Sequence, residues 1–406
     1  MKTLLIVTLA LAASASAFAE DNELITGFTA SQDLSTRLVS ADFTLTTNAI
    51  VIVDVCTNIA PGSAETASIG AENFQSLHDY AWNPTEFPGN RVLPKGNYKF
   101  RWMPMKDWPG RRLANTVSIH VRAYRLASPP AFMVVDLDGS QTKRFYETLA
   151  DIPEGGVTNE IYKTDKLVMS RIPATGVTWR MGNPSETTNN AVATPHYVTL
   201  TNDYYIGIYE FTGAQLAKIG KSTQYTGDTT LPAWRVKYTN LRGGDWPDQL
   251  HDGVGDGTVM AVMRTKTGLK FDLPTEAEFE FAQRAGEGGD YWYTPITDAE
   301  LAFAKEIKEV GSTGICNRWG LYDMAGNVKE IVVDQYGTFT SDAVIAPVGA
   351  TGTTTCVLRG ADYKYSTEVN NLVSWRRVSQ SRTTDNCGSS RYFGFRMACP
   401  AEIPEE

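Results

Sequence analysis

Trp319–Glu330 reads WGLYDMAGNVKE, and the fold turns on how this stretch is understood. Gly320, Gly326 and Asn327 tolerate positive φ or build turns, and they sit among apolar neighbours with Asp323 and Glu330 bracketing the turn. Glycine permits close backbone approach, so the run predicts a tight loop with its carbonyls turned inward. Inward carbonyls beside two carboxylates meet the needs of a hard cation such as Ca²⁺. A buried turn whose polar groups satisfy one another gives the same pattern.

Working outward, two capping boxes predict helices. Thr212-x-x-Gln215 opens a short one that stops at Gly220, and Thr275-x-x-Glu278 opens another between Pro274 and Gly286. In each, the threonine hydroxyl accepts a backbone N–H three residues on while the Gln or Glu reaches back. Ala277, Phe281 and Ala285 form the core-facing stripe of the second helix, widened by Phe279 and Ala282. Glu276, Glu278 and Glu280 lie near its positive end and Arg284 near its negative end, a charge pattern that stabilises the helix. Asp245–Asp256 (DWPDQLHDGVGD) gathers four aspartates and His251 without EF-hand spacing, which predicts a solvated surface loop.

Composition sets outer bounds. A chain of 406 residues with 42% hydrophobic and 11% aromatic content suits two or three domains with real cores. Residues 1–19 have the form of a secretory signal: Lys2, an apolar run from Leu4 to Ala12, then small residues ending Ala17-Phe18-Ala19. Removing Lys2 would take the net charge from −9 to −10, and no later run approaches a membrane span in length. An acidic exported chain, secreted or periplasmic, is a poor partner for nucleic acid or an anionic membrane. The five cysteines show no zinc-type spacing, and His78, His120, His196 and His251 are scattered.

From Ile25 to Leu126, short alternating stretches separated by turn residues (Arg37–Thr44, Ala49–Val55, Asn97–Met103, Val117–Arg125) predict an antiparallel β-sandwich over 20–130. Ser128-Pro129-Pro130 marks a boundary. A second domain then runs over 131–400, with 131–165 as connector strand and turns, and 401–406 form a tail.

The loop at 319–330 resembles the corresponding segment of the formylglycine-generating enzyme, or sulfatase-modifying factor, family. Further landmarks follow in order: Arg171-Ile172-Pro173, Met181-Gly182, YIGIYEFTGAQ over Tyr205–Gln215, LPTEAEFEFAQRAG over Leu273–Gly286, Arg359-Gly360 and Gly394-Phe395-Arg396. The resemblance implies a C-type-lectin-like α+β fold low in regular structure. The strands before it resemble immunoglobulin-like modules that precede such domains in some exported bacterial proteins. It also implies a structural calcium loop at Asp323, Gly326, Val328 and Glu330, with Lys329 and Ile331 standing where the family usually has tryptophans. Arg382 and Arg396 match basic positions that brace loops through bidentate hydrogen bonds.

Family members that make formylglycine hold Cu(I) between two thiolates just after an Arg-Gly-Gly-Ser strand, five positions apart. Here the strand reads Arg359-Gly360-Ala361-Asp362-Tyr363, and Tyr365 and Asn370 stand at or beside the thiol positions, with no cysteine between Cys356 and Cys387. Copper-thiolate chemistry is therefore not expected, and no catalytic residue is assigned. The iron oxygenases of the superfamily draw histidines from an extra helical domain, which nothing before Ala131 resembles.

If Cys356–Tyr363 and Tyr392–Cys399 are antiparallel neighbours, Cys356 faces Cys399 and the two can bridge. Cys316 and Cys387 are then a second candidate pair, with Cys56 buried as a small apolar residue. Tyr363, Tyr365, Asn370, Trp375, Arg377, Arg382 and Tyr392 have the composition of a recognition surface, and an ordinary polar loop region shares it. The preferred reading is an exported, non-catalytic binding module for an exported protein or a glycan. Its rivals are a formylglycine-generating or related oxidase with relocated catalytic residues, and a display scaffold with diversified C-terminal loops.

Overall fold

The computed structural model describes residues 23–33, 35–36, 38–58, 66–70, 77–79, 89–107, 117–185, 193–222, 227, 229–247, 251, 253–289, 307–362, 372–381, 383 and 393–405. Residues 1–19, where a secretory signal is expected, lie outside them, as do Tyr363, Tyr365, Asn370, Arg382, Cys387 and Tyr392. The chain forms two compact units. The first comprises Met1–Pro130, Arg144–Gly156 and Glu405–Glu406, and the second Ala131–Lys143 and Val157–Pro404. Among the described residues, no helix is long and apolar enough to cross a membrane.

The first unit holds β1 (Ile25–Gln32), β2 (Val39–Leu45), β3 (Ala49–Asn58), β4 (Thr66–Ser68), β5 (Leu77–Asp79), β6 (Arg91–Leu93), β7 (Gly96–Trp102), the single-turn helix α1 (Pro104–Asp107) and β8 (Val117–Tyr124). One sheet has the order β1-β2-β7-β5; in the other β3 pairs with β4, β6 and β8, and every pairing is antiparallel. Alternation explains the core. Val39, Ala41, Phe43 and Leu45 of β2 and Tyr98, Phe100 and Trp102 of β7 cluster with Val51, Val53 and Val55 of β3 and Ile119, Val121 and Ala123 of β8. Phe43 stacks on Tyr98 at 5.6 Å and meets Phe100 edge-on at 5.3 Å.

The segment Arg144–Gly156 belongs to this unit rather than to the connector that the sequence reading placed in the second domain. Asn90 and Phe145 exchange hydrogen bonds of 2.8 and 2.7 Å, and Glu147 takes Arg122 at 2.7 Å and accepts the Tyr124 hydroxyl.

In the second unit β9 (Phe132–Asp136), β11 (Lys166–Ile172), β14 (Tyr204–Gly207) and β20 (Ala398–Pro400) lie side by side, all antiparallel; β10 (Lys143–Tyr146) spans the point where the chain leaves this unit. A small sheet joins β12 (Thr178–Met181), β13 (His196–Thr199) and β16 (Val344–Ile345). A third runs β18 (Val378–Ser381), β17 (Thr355–Arg359), β15 (Lys329–Gln335), β19 (Phe393–Gly394), its last pair parallel. The helices are short: α2 (Ile161–Thr164), α3 (Gly213–Lys218), α4 (Tyr238–Leu241), α5 (Val259–Thr267) and α6 (Glu276–Arg284). Strands dominate, and the unit is a mixed α/β domain.

Both capping boxes form. Thr212 Oγ1 accepts from Gln215 N–H at 3.0 Å, and Thr275 Oγ1 from Glu278 N–H at 3.1 Å, with the Gln and Glu side chains reaching back. Helix α6 departs from the expected one-sided stripe, because every one of its nine residues is buried.

The register expected for the cysteines is overturned. Cys356 on β17 stands opposite Gln335 of β15 and Gln380 of β18, while Cys399 on β20 stands opposite Tyr205 of β14, in a different sheet. Cys56, Cys316, Cys356 and Cys399 form no disulfide, so neither candidate bridge is present; Cys387 lies outside the described residues. Burial pushes the Cys399 thiol far up, as suits a cysteine serving as a small apolar filler.

Candidate functional site

Strand β15 runs KEIVVDQ with all seven residues buried, although four of them are polar or charged. A buried charge must be paired or neutralised, so each requires a partner. At the N-terminal end Lys329 Nζ lies 2.7 Å from Asp362 Oδ2. Beside it, Glu330 accepts two bonds from Arg396, Nε to Oε2 and Nη2 to Oε1, both at 2.7 Å. Arg396 also donates to the carbonyls of Gly207 (3.0 Å) and Tyr322 (3.1 Å), which is the bracing role expected for it.

Around this pair lies the loop for which calcium is the expectation. Gly326 has φ of 107° and donates to Ala361 O at 3.1 Å; the Val328 N–H donates to Glu210 Oε1 at 3.1 Å, and Asn327 Nδ2 to Glu210 Oε2 at 2.7 Å. Asp323 Oδ2 accepts the Gly311 N–H at 2.6 Å, while the buried Oδ1 has no partner. Burial raises Asp323 to about 6 and Glu210 well above the usual carboxylate range, the latter pushed further by Asp323 and Glu330. Both Glu330 oxygens are already committed to Arg396, so the free donor of the loop is Asp323 Oδ1. Among the described residues no three of His, Cys, Asp and Glu are gathered as for a metal ion.

At the far end of β15 lies a second constellation, and here the glutamates of α6 acquire a role the sequence reading did not give them. Glu276 forms a bidentate pair with Arg377, Nε to Oε1 at 2.7 Å and Nη2 to Oε2 at 2.6 Å, and also meets Arg359 at 3.3 Å. Glu280 takes Arg359 at 2.5 Å and Arg284 at 2.8 Å, and its Oε1 also accepts the Gly182 N–H at 3.0 Å. That last bond explains the Met181-Gly182 landmark: at φ of 96°, a Cβ on Gly182 would stand 2.8 Å from Ala193 O. Glu278 faces His251 at 3.4 Å, so the loop expected to be solvated instead buries its histidine against the helix. Helix-dipole logic saw a helix-stabilising acidic face; beyond Arg284, the arginines of Glu276 and Glu280 are supplied from 79 to 101 positions away.

Arg377 of the expected recognition surface is thus buried, its guanidinium stacked 3.8 Å over Phe339 and 4.8 Å from the Tyr336 ring. Trp375 is half-buried, and its carbonyl accepts from Arg359 at 3.4 Å. The other expected contact residues lie outside the described residues. Beside Arg377 opens a cavity of about 160 Å³, lined among others by Met181, His196, Asp334, Phe339 and Val344. Asp334 is 2% exposed, and its hydrogen bond among the described residues is accepted by Oδ2 from the Glu276 N–H at 2.6 Å; Oδ1 is left to the cavity. Burial first, then the neighbouring Glu276, drives its carboxyl well above the ordinary range. His196 has Nδ1 3.0 Å from the Thr194 carbonyl, which can only accept, so Nδ1 carries the proton and Nε2 presents a lone pair. A buried acid and a buried imidazole that converge on one apolar-walled cavity were not legible as a site, because their residues come from β13, β15 and the loop after it.

The family described as the sulfatase-modifying factor enzyme 1-like domain has a model that matches residues 163–401. No curated protein is similar enough to match. Among solved structures, Treponema denticola variable protein 1 shares 22% identity, with 58% of this chain and 95% of that one covered and a TM-score of 0.45. PvdO from Pseudomonas aeruginosa shares 21% identity, with 58% and 94% covered and a TM-score of 0.44. The family match spans well over half the chain and runs from Lys163 through both buried charge networks to Ala401; the chain belongs to the sulfatase-modifying factor enzyme 1-like family.

Proposed function

We propose that the second unit is a binding module of this family and does not carry out copper-thiolate oxidation. The observation that carries the reading is the buried Lys329–Asp362 pair, 2.7 Å apart. It brings a fixed ammonium to the strand end directly before the stretch where the resemblance expects thiols and this sequence has Tyr365 and Asn370. The ammonium occupies the Asp362 carboxylate, and neither tyrosine nor asparagine supplies a soft ligand for Cu(I). Of the recognition surface, Arg377 is buried and half-buried Trp375 is the other described member; the proposed ligand is an exported protein or a glycan in a secreted or periplasmic setting.

Two further parts belong to the proposal. The first unit, with two antiparallel sheets sharing one core, serves as an immunoglobulin-like spacer or docking module. The loop at 319–330 is steadied by calcium, for which Asp323 Oδ1 is the available carboxylate oxygen and the carbonyls of Gly326 and Val328 are the expected companions. Copper-dependent O₂ uptake with a cysteine-containing sulfatase peptide would overturn the binding reading; no uptake, together with saturable retention of a glycan or an exported protein, supports it. A melting temperature identical with calcium and with chelator would remove the calcium part, since a ligand of the folded state must stabilise it.

A further inference from the structure

We infer that the cavity beside Arg377 is a binding site for a primary ammonium group, held by Asp334 Oδ1 and His196 Nε2 with its alkyl stem against the apolar wall. The inference deepens the binding reading, and the observations under it are its own.

Two polar side chains, each more than nine-tenths buried, line this cavity with an atom that no neighbour satisfies: Asp334, 2% exposed, and His196, 6% exposed. A carboxylate oxygen and a ring nitrogen that have no protein partner and line one cavity are open to a ligand that supplies both bonds at once. Both atoms accept. Asp334 does so when ionised, and His196 does so as the tautomer set by Thr194. The complement is a donor with several N–H groups and no lone pair of its own, which is what an alkylammonium is.

Charge selects further. Arg377, the nearest cation, is spent elsewhere: Nε and Nη2 go to Glu276 and Nη1 to the Gly337 carbonyl at 2.6 Å. Glu276 and Glu278 both add negative potential at Asp334. Arg284, Arg359 and Arg377 are hydrogen-bonded to Glu276 and Glu280, so ionised Asp334 has no cation of its own in hydrogen-bond contact. A neutral diol or amide would fill the space without giving that carboxylate an ion-pair partner. The raised carboxyl follows from the same situation, and a bound cation would reverse it, expelling the proton from Asp334 as it enters.

Size and walls fit a short stem. A cavity of about 160 Å³ is close to the ~150 Å³ that accepts benzene, room for a butyl chain and its head. Met181, Ala277, Val344, Pro347 and Ala350 supply the apolar wall, and the exposed Thr338 and Thr340, also in the lining, open it to solvent.

The ammonium can belong to a free small amine or to a lysine side chain of a bound protein, and the test has an arm for each. The full chain is titrated calorimetrically at pH 8 with n-butylamine, with n-butanol as its neutral isostere, and with Nα-acetyl-lysine-N-methylamide. Saturable binding of either amine, at least ten-fold tighter than the alcohol, is expected. Tighter binding of the lysine derivative assigns the site to a protein partner, and tighter binding of butylamine assigns it to a free amine. Titration in two buffers of different ionisation enthalpy should show a proton released on binding. Asp334→Asn keeps an acceptor for the Glu276 N–H and is expected to weaken amine binding at least ten-fold, while His196→Gln weakens it less. Equal binding of butanol, unchanged binding by folded Asp334→Asn, or no saturation by ~10 mM amine overturns the inference. Loss of glycan or protein retention with amine binding intact would instead sink only the wider binding reading.

Discussion

The two ends of strand β15 carry the same kind of group in opposite circumstances. Glu330 is gripped by Arg396 through two 2.7 Å bonds, in a pocket where Glu210 and Asp323 share that one guanidinium's field. Asp334, four residues on, has no guanidinium of its own and turns an oxygen towards a cavity, although three arginines stand along the neighbouring helix. The cations of the second network are bound to Glu276 and Glu280, so abundance of positive charge nearby did not decide the matter. Which carboxylate received the bidentate partner did. The paired acid is architecture, and the unpaired one is free for chemistry.

The largest test of this contrast removes Arg396. Arg396→Ala would strand Glu330 with Glu210 and Asp323 in a dry interior and should cost about 3–5 kcal/mol in urea unfolding. Arg377→Ala should cost less, because water can enter the adjoining cavity to solvate Glu276; equal losses would break the comparison. Next is Gly311→Ala. Gly311 sits at φ of 68°, a Cβ there would come within 2.3 Å of the Tyr209 ring, and its N–H holds Asp323. A loss on the order of 1–3 kcal/mol is expected, read from the shift in denaturation midpoint.

Smaller in size and opposite in sign is Asp334→Asn. The folded-state value of this acid lies above its unfolded one, so the wild type loses stability as pH climbs above about 4 and through the native value. The amide does not titrate. The variant should therefore melt higher than wild type at pH 8, by roughly 2–4 °C, and the two should converge in acid. A variant that melts lower at pH 8 would mean that Asp334 has a cation after all. Smallest is the effect of reductant. With four of five cysteines unbridged, dithiothreitol should leave the melting temperature where it is.

Much of the scaffold was legible because its signals are local. Thr212 and Thr275 announce their helices within four residues, and the alternation of Val39 to Leu45 and Gly96 to Trp102 marks strands without outside help. The family landmarks carried the second unit. What failed were inferences about partners far away in the chain. The cysteine pairing assumed that two strands were neighbours, but β20 joins β14 and β17 lies between β15 and β18. Glu276 and Glu280 looked like a helix face because Arg359 and Arg377 are invisible to a short window. His251 looked solvated amid aspartates, and only packing against Glu278 buries it. The cavity belongs to the same class: Asp334 reads as one more residue in an apolar strand until His196 is brought beside it.

The excursion of Arg144–Gly156 has a consequence for anyone dividing this protein. The proline pair at 129–130 invites a cut, yet a piece ending there would lack Glu147 and Phe145, leaving Arg122 and Asn90 to find other company. Gene fusion or expression of the amino-terminal half should succeed when the junction falls after Gly156, with 131–143 carried along as a passenger.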